Sequence, residues 1–498
     1  MTPISAPAST NNLKSGSWAR RLHASAPRNP CQMGTRLGLG ASAPWESILM
    51  ILVVVSGFLL VQPLAAQGEK PSFTAQPGDR ELAAEILKDQ RMDVVVAMGR
   101  ELLKSGLNAG SSYNEVWIRD LNTFIVPLLE AAAHEPVREA LLTFLHFQGE
   151  DGNIIDGYVP TNMKDAGYKY RFSDSRPDLK AHKNTVETDQ ESSLVQAVCR
   201  YVAKTKDSQI LDEMVRGITV RRRLEMALDY PLTHRFSEPH GLIWGATTAD
   251  WGDVQPEHPW GVELDPDRHR AIDIYDNALL LVAIGEYLDV ACDGDAGRKN
   301  KWARRQADLR QSVRKHLWDA TSRKFIPHLY LAGSPFPPEF DENQIFYHGG
   351  TTVAMEAGLL SREEIGVSYR RMRENMRQAG AATIGLTLFP AYPEGYFKNK
   401  SMRPFSYQNG GDWDWFGART VRQLARAGYA GEAYRELIPM LERTIKHRGF
   451  FEWWTPANQP QGSGKFRGSA GVMIEAITEL RGWAKARIDP QSTTPTGT

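Results

Sequence analysis

From residue 80 onward, apolar positions recur at three- and four-residue spacing, the period of a helix with one buried face. Leu194, Val198, Tyr201 and Val202 share such a face, as do Val421, Leu424 and Ala425, and Leu437, Leu441 and Ile445. The pattern predicts helices over 80–104, 119–133, 136–148, 188–205, 208–228, 272–290, 298–317, 349–358, 362–378, 411–427, 430–447 and 469–486. Strand-type alternation is scarce. Thr188-x-x-Glu191 and Ser361-x-x-Glu364 read as capping boxes, and Gly428 and Gly449 stand where helices should be capped at their C-termini. About twelve helices in succession, many running straight into an antiparallel neighbour, imply stacked hairpins. A fixed-period repeat is missing, which disfavours a tetratricopeptide-type solenoid. The expected fold class is therefore all-α, a ring of six hairpins or (α/α)6 barrel, with an irregular α-bundle as the alternative. The ring is favoured because the chemically unusual residues cluster in loops at alternate helix junctions, which in such a ring open onto one end.

The first 66 residues lack this period. They are rich in Ser, Ala, Pro and Arg until Ile48, where a 14-residue apolar segment runs to Val61, followed by Gln62-Pro63 and Ala65-Ala66. That is short of the ~20 residues needed to span a bilayer and matches the apolar region of a signal peptide. The reading is a leader over 1–66 cleaved near Ala66, a linker over 67–79, the helical domain over 80–487 and a flexible tail over 488–498. It implies export to a periplasm or the exterior with no stable membrane insertion after processing. An uncleaved signal anchor is the alternative, and Met33 is a second candidate start.

Charge changes meaning once the leader is set aside. The whole chain carries 59 Lys+Arg and 59 Asp+Glu, but residues 1–66 hold five bases and one acid, leaving 54 against 58, a net of −4. No basic stripe interleaved with aromatics is present, which argues against a nucleic-acid partner. Beyond the leader only Cys199 and Cys292 remain, each inside an apolar helical pattern, so both read as free buried thiols and no zinc spacing exists. No metal or other cofactor is expected. Glycine-rich nucleotide loops and a GxSxG elbow are missing as well.

The loops carry the chemistry. Eight Trp (Trp117, Trp244, Trp251, Trp260, Trp413, Trp415, Trp453 and Trp454) lie beside carboxylates in loops or at helix starts. Aromatic faces beside Asp and Glu suit a sugar, whose ring has an apolar C–H face and a rim of hydroxyls. YNEVWIRDLNTF places Arg119 and Asp120 at a helix start, where a guanidinium fork and a carboxylate can clamp vicinal hydroxyls. In FQGEDGNIIDGYVP, glycine turns hold Asp151 and Asp156, whose spacing fails the EF-hand pattern and reads as a substrate loop. NTVETDQESS puts Asp189 in a helix start, where the dipole lowers a pKa that a general acid needs raised. Asp250 and Asp253 flank Trp251 in a loop free of that bias and compete with Asp189 as proton donor. Asp412 beside Trp413, and Glu452 as the lone acid in the apolar run GFFEWWTP with Trp453, complete the set.

NEVWIRDLNTFI, NTVETDQESSLVQAVCRYV, YQNGGDWDWF and GFFEWWTP, in this order over roughly residues 85–485, resemble the six-hairpin glycosidases. The patterns are nearest those of alkaline/neutral invertases and of the amylo-α-1,6-glucosidase domain of glycogen debranching enzymes. The resemblance implies an (α/α)6 barrel and a two-carboxylate glycoside hydrolase; the expected substrate is an α-glucoside or related oligosaccharide, and inversion is the favoured outcome. The resemblance also implies Asp189 as the general acid and Glu452 as the second carboxylate; Asp250, in a loop free of the helix dipole, is the reserve acid on local grounds. Arg119 and Asp120 match the family's sugar-holding pair, and Asn409 matches the invertase His-Asn-Gly-Gly turn with Gln408 replacing the His; Trp117, Asp156, Trp251, Asp412, Trp413 and Trp453 join them as expected sugar-binding residues from their place in the loops. The segments around Asp250 and DENQIFYHGG fit neither subfamily. Rival readings are a phosphorylase, which needs a basic pocket, a polysaccharide lyase using Tyr347-His348, and a sugar-binding protein without catalysis.

Overall fold

Thirteen α-helices form among the described residues, 78–292 and 294–489 of the computed structural model. The leader, most of the linker and residues 490–498 of the tail lie outside them. The helices are α1 (Asp79–Lys88), α2 (Gln90–Lys104), α3 (Ile118–Ala131), α4 (Glu135–His146), α5 (Gln190–Thr205), α6 (Val220–His234), α7 (Ile274–Val290), α8 (Ala296–His316), α9 (His348–Glu356), α10 (Arg362–Ala379), α11 (Asp414–Arg426), α12 (Ala430–His447) and α13 (Arg467–Ile488). Strands are short, two to five residues each, and pair into small sheets in the connections.

Composition sorts these helices into two layers. Helix α7, IYDNALLLVAIGEYLDV, buries residues on nearly every face of its first three turns, whereas the polar, charge-rich α8 buries only Trp302, Leu309 and Val313. The six well-buried helices pack in sequence, α3 on α5, α5 on α7, α7 on α9, α9 on α11, α11 on α13, and α13 back on α3. A closed inner ring results. Between its members, α2, α4, α6, α8, α10 and α12 form the outer layer, and α1 packs on α13. This is the all-α (α/α)6 barrel. Among the described residues no helix is long and apolar enough to cross a membrane.

The connections are as unequal as the layers. Those from an inner to an outer helix are short or simple: 132–134, 206–219, 291–295, 357–361 and 427–429. Those from an outer to an inner helix are mostly much longer: 105–117, 147–189, 235–273, 317–347, 380–413 and 448–466. All six of the latter end where an inner helix begins, so they crowd one end of the ring.

Local details correct several expectations. The helix expected over 80–104 breaks at Asp89, whose extended backbone and side chain, accepting from the Arg91 N–H, start α2. The region expected as helix 208–228 divides into a 3-10 turn at Ser208–Asp212 and α6, capped by Thr219. Ser361 and Glu364 form a reciprocal capping box. Thr188 and Glu191 do not: α5 begins after Asp189, Thr188 donates to the Trp244 carbonyl, and Glu191 accepts from the Ile154 N–H and Lys183. At the end of α12 the left-handed residue is Arg448 rather than Gly449, whereas Gly428 after α11 is left-handed. Cys199 and Cys292 are free and buried.

Candidate active site

At the crowded end lies a cavity of about 250 Å³. Each residue that borders it comes from an outer-to-inner connection or from the first turn of an inner helix. Connection 105–117 supplies Tyr113 and Trp117, and the start of α3 supplies Arg119 and Asp120. The next two connections supply Asp156, Tyr168 and Glu187, and then Trp251, Asp253 and Trp260. Asn399, Ser401, Tyr407 and Trp413 come from 380–413, and Glu452 and Phe466 from 448–466.

Aromatic rings form two groups. Trp251 meets Trp413 edge-on at 4.8 Å and Trp415 at 5.1 Å between centroids, an apolar surface that excludes water on one side. Tyr168 tilts against Trp260 at 5.1 Å and stacks on His182 at 3.9 Å. Trp117 packs on the same His182 at 4.9 Å.

Between the rings sit the acids. The Arg119 guanidinium reaches Glu187 Oε1 at 2.8 Å and Asp189 Oδ2 at 2.6 Å, and lies 5.6 Å from the Trp251 ring centre. Burial pushes the carboxyls of Asp156 and Glu187 well above their ordinary range, with Arg119 opposing. Burial pushes Asp120 up to about 7, again against Arg119, with Glu452 and Asp253 adding to the rise. Glu452 is raised by burial too, and its two oxygens are both occupied: Oε1 accepts from the Tyr113 hydroxyl at 2.9 Å and Oε2 from the Ser463 N–H at 2.7 Å. Gly462 allows this approach. Its φ is +66° and a Cβ there would stand 2.5 Å from Glu452 Oε2.

Asp253 is held differently. Gln408 Nε2 donates to its Oδ1 at 2.6 Å, while the Asp253 N–H donates to Gln408 Oε1 at 3.3 Å, a reciprocal pair that fixes the amide's orientation. Its Oδ2 makes no hydrogen bond among the described residues. Gln408 thus ties connection 380–413 to the loop that carries Asp250 and Asp253.

The remaining site candidates lie elsewhere. Asp189, fully buried, is the residue preceding α5 and gives Oδ2 to Arg119 and to the Tyr275 hydroxyl at 3.3 Å; it does not border the cavity. Asp250 turns away, at φ +58°, to accept from the Gly349 and Gly350 N–H groups at 2.6 and 2.8 Å at the start of α9. Those glycines, part of DENQIFYHGG, are required there because a Cβ on either would come within 2.9 Å of the carboxylate. Asn409 bonds the backbone of Tyr392 and Met402, and Asp412 is clamped by Arg443 and Thr383. Trp453 is half-buried outside the cavity lining, packed against the hydrophobic core. Tyr347 and His348 are also off the cavity, their side chains engaged by Tyr392 and Asn375. Sequence reasoning missed Tyr113, Tyr168, Tyr407 and Phe466. Asp253 and Glu187 were visible as acids beside Trp251 and Asp189 but carried no signal that separated them from their neighbours.

Neither a protein-family model nor a curated protein matches the chain. Solved structures do. The GH63 mannosylglycerate hydrolase of Thermus thermophilus, in complex with Tris and D-glycerate, is 16% identical over 80% of this chain and 99% of its own, with a TM-score of 0.53. A rhamnosidase of Klebsiella oxytoca with rhamnose bound is 13% identical over 79% of this chain and 64% of its own, with a TM-score of 0.52. A GH78 rhamnosidase of Bacillus sp. GL1 is 14% identical over 78% of this chain and 34% of its own, also at 0.52. At these identities the likeness is one of fold: the six-hairpin α/α barrel read from the helix packing is the architecture this chain shares with them.

Proposed function

We propose that the protein is a glycoside hydrolase in which Asp253 is the general acid and Glu452 the general base. One observation carries the assignment: the two carboxyls border one cavity but are anchored unequally. Burial raises the Glu452 carboxyl, which gives the ionised form the strength to take a proton from water, and donors on both its oxygens oppose that rise and support ionisation. Asp253 receives a donor on Oδ1 alone, so its Oδ2 is the oxygen that can face the leaving group. Arg119, Asp120, Asp156 and Glu187 hold the sugar hydroxyls, and the Trp251, Trp413 and Trp415 surface receives its apolar face. Asp189 and Asp250 act on the site indirectly, the first by orienting Arg119, the second by seating the Trp251 loop on α9.

An inverting reaction is favoured, with water between base and anomeric carbon. The fold neighbours make a mannoside, a rhamnoside or a glucoside reasonable first substrates, and export through the leader is part of the same reading. A phosphorylase is disfavoured because Arg119 is the sole basic residue bordering the cavity and is already paired. The test is proton NMR of the first-formed sugar from a panel of α- and β-glycosides. Inversion predicts the anomer opposite to that of the substrate; an anomer that matches it overturns the water-bridged geometry, and no release of sugar from any glycoside overturns the hydrolase.

Removing the Tyr113 hydroxyl tests the base in particular. That O–H stabilises ionised Glu452, so in Tyr113→Phe the carboxyl pKa rises further and the acid limb of kcat/KM moves to higher pH. On the plateau the loss is expected to stay within about tenfold. A limb that is unmoved, or moves to lower pH, contradicts Glu452 as the group that must be ionised.

A further inference from the structure

Charge around the cavity is one-sided. Asp120, Asp156, Glu187, Asp253 and Glu452 border it against the single base Arg119. Arg119 has little left to offer, with Nη2 on Glu187, Nε on Asp189 and its plane near Trp251. Three bases on the surrounding loops are engaged as well, Lys169 with Glu263 at 2.6 Å, Lys180 with Asp165, and buried Lys183 with Glu191 at 2.7 Å, while Lys400 is exposed and does not border the cavity. What the lining sets beside Arg119 and these acids is otherwise uncharged: the Tyr168 hydroxyl, the Trp260 ring, and Asn399 and Ser401, which are bonded to each other. Burial has already pushed four of the five acids upward, a sign that this space tolerates additional negative charge poorly. Its volume, about 250 Å³, lies below the ~300–1,000 Å³ usual for drug-sized ligands and suits one sugar ring with a small substituent.

Building on the hydrolase reading, we infer that the cavity selects glycosides whose leaving group is small and uncharged and rejects those whose leaving group is a carboxylate or phosphate. A neutral polyol can donate to an ionised carboxylate and accept from a protonated one. An anionic group would enter a recessed space without a free cation, and like charges brought together there cost heavily. The acids thus both bind the sugar and filter what is attached to it.

The experiment uses matched pairs, α- and β-linked mannose, glucose and rhamnose carried on glycerol or on glycerate, offered to the full chain. Both hydrolysis and calorimetric binding are measured at neutral pH, with Lys400→Ala as a second protein because that exposed lysine sits between Asn399 and Ser401. The hydrolysed sugar is expected to be released from glycerol with kcat/KM at least about 100-fold above that from glycerate, in both proteins. Equal or faster release from glycerate overturns the charge filter and leaves the hydrolase standing. If no pair is hydrolysed but the glycerol member binds at least about tenfold more tightly, the hydrolase fails and the filter holds. Binding without preference, or no binding and no release with any pair, overturns the filter.

Discussion

Glu452→Gln is expected to lower kcat by about 10²–10⁴-fold, the usual contribution of a positioned proton-transfer group, with KM changed far less. The substitution keeps the volume and leaves an oxygen to accept from the Ser463 N–H, so the strand Phe451–Trp454 and its partner Pro460–Gly464 should remain paired. Asp253→Asn should lose activity over the same range but unevenly. Substrates with good leaving groups, such as nitrophenyl glycosides, need little protonation and should be spared, whereas alkyl glycosides should not. Steady-state rates on both substrate types check this. A Glu452→Gln enzyme within about tenfold of the parent would remove Glu452 from the mechanism. An Asp253→Asn enzyme equally slow on both types would remove the acid role while leaving Asp253 important for binding.

Arg443→Met is expected to be the most damaging single change to stability, about 3–5 kcal/mol by chemical denaturation. Arg443 is fully buried, and its guanidinium bridges Asp412 at 2.9 Å and Asp414 at 2.7 Å beneath the Trp454 ring, 4.6 Å away. Burial holds the Asp414 carboxyl above its ordinary range even with this partner, so removing the cation strands two carboxylates in a dry space. The same cluster ties the backbone of Asp412 to Trp454 by a mutual pair of N–H to carbonyl bonds, two residues from Glu452. Adding Asp412→Asn and Asp414→Asn to Arg443→Met should recover a good part of the loss. A single variant destabilised by less than about 1 kcal/mol, or a triple variant no better than the single, would mean that these charges are not coupled as their distances imply.

The ring was legible because it is written in helical period. Burial of α5, α7 and α13 on nearly all sides and of α8 on a narrow stripe is the difference between LLLVAIGEY and RKNKWARRQADLR, and no long-range information is needed to read it. The break at Asp89 escaped notice because an Asp is tolerated within a helix, and only its side chain's bond to Arg91 N–H makes it a cap. The site was legible to the level of loops and less so to the level of atoms. Trp117, Arg119, Asp120, Asp156, Trp251, Trp413 and Glu452 do border one cavity. Asp250 and Asp253, three residues apart in one loop, look alike in sequence; what parts them is the distant pair Gly349-Gly350, which captures one carboxylate, and Gln408, which orients the other. Asn409 and Asp412 resemble ligands of a sugar because polar groups that fasten a loop and polar groups that fasten a substrate are the same residue types. Their roles separate only when every donor and acceptor is assigned.

One seam of the ring differs from the rest. Helix α13 meets α1, α2 and α3, so the barrel closes between segments at opposite ends of the domain. Across it Ser111 donates to the Gly464 carbonyl, Arg467 to Asn108 and Ser105, and Tyr113 to Glu452, 339 positions away. Contacts of such sequence separation form late, after the local hairpins are in place. The Tyr113 hydroxyl bond to Glu452 is thus one of the contacts that close the barrel, and on the proposed reading the donor that supports the base is supplied only by the closed ring.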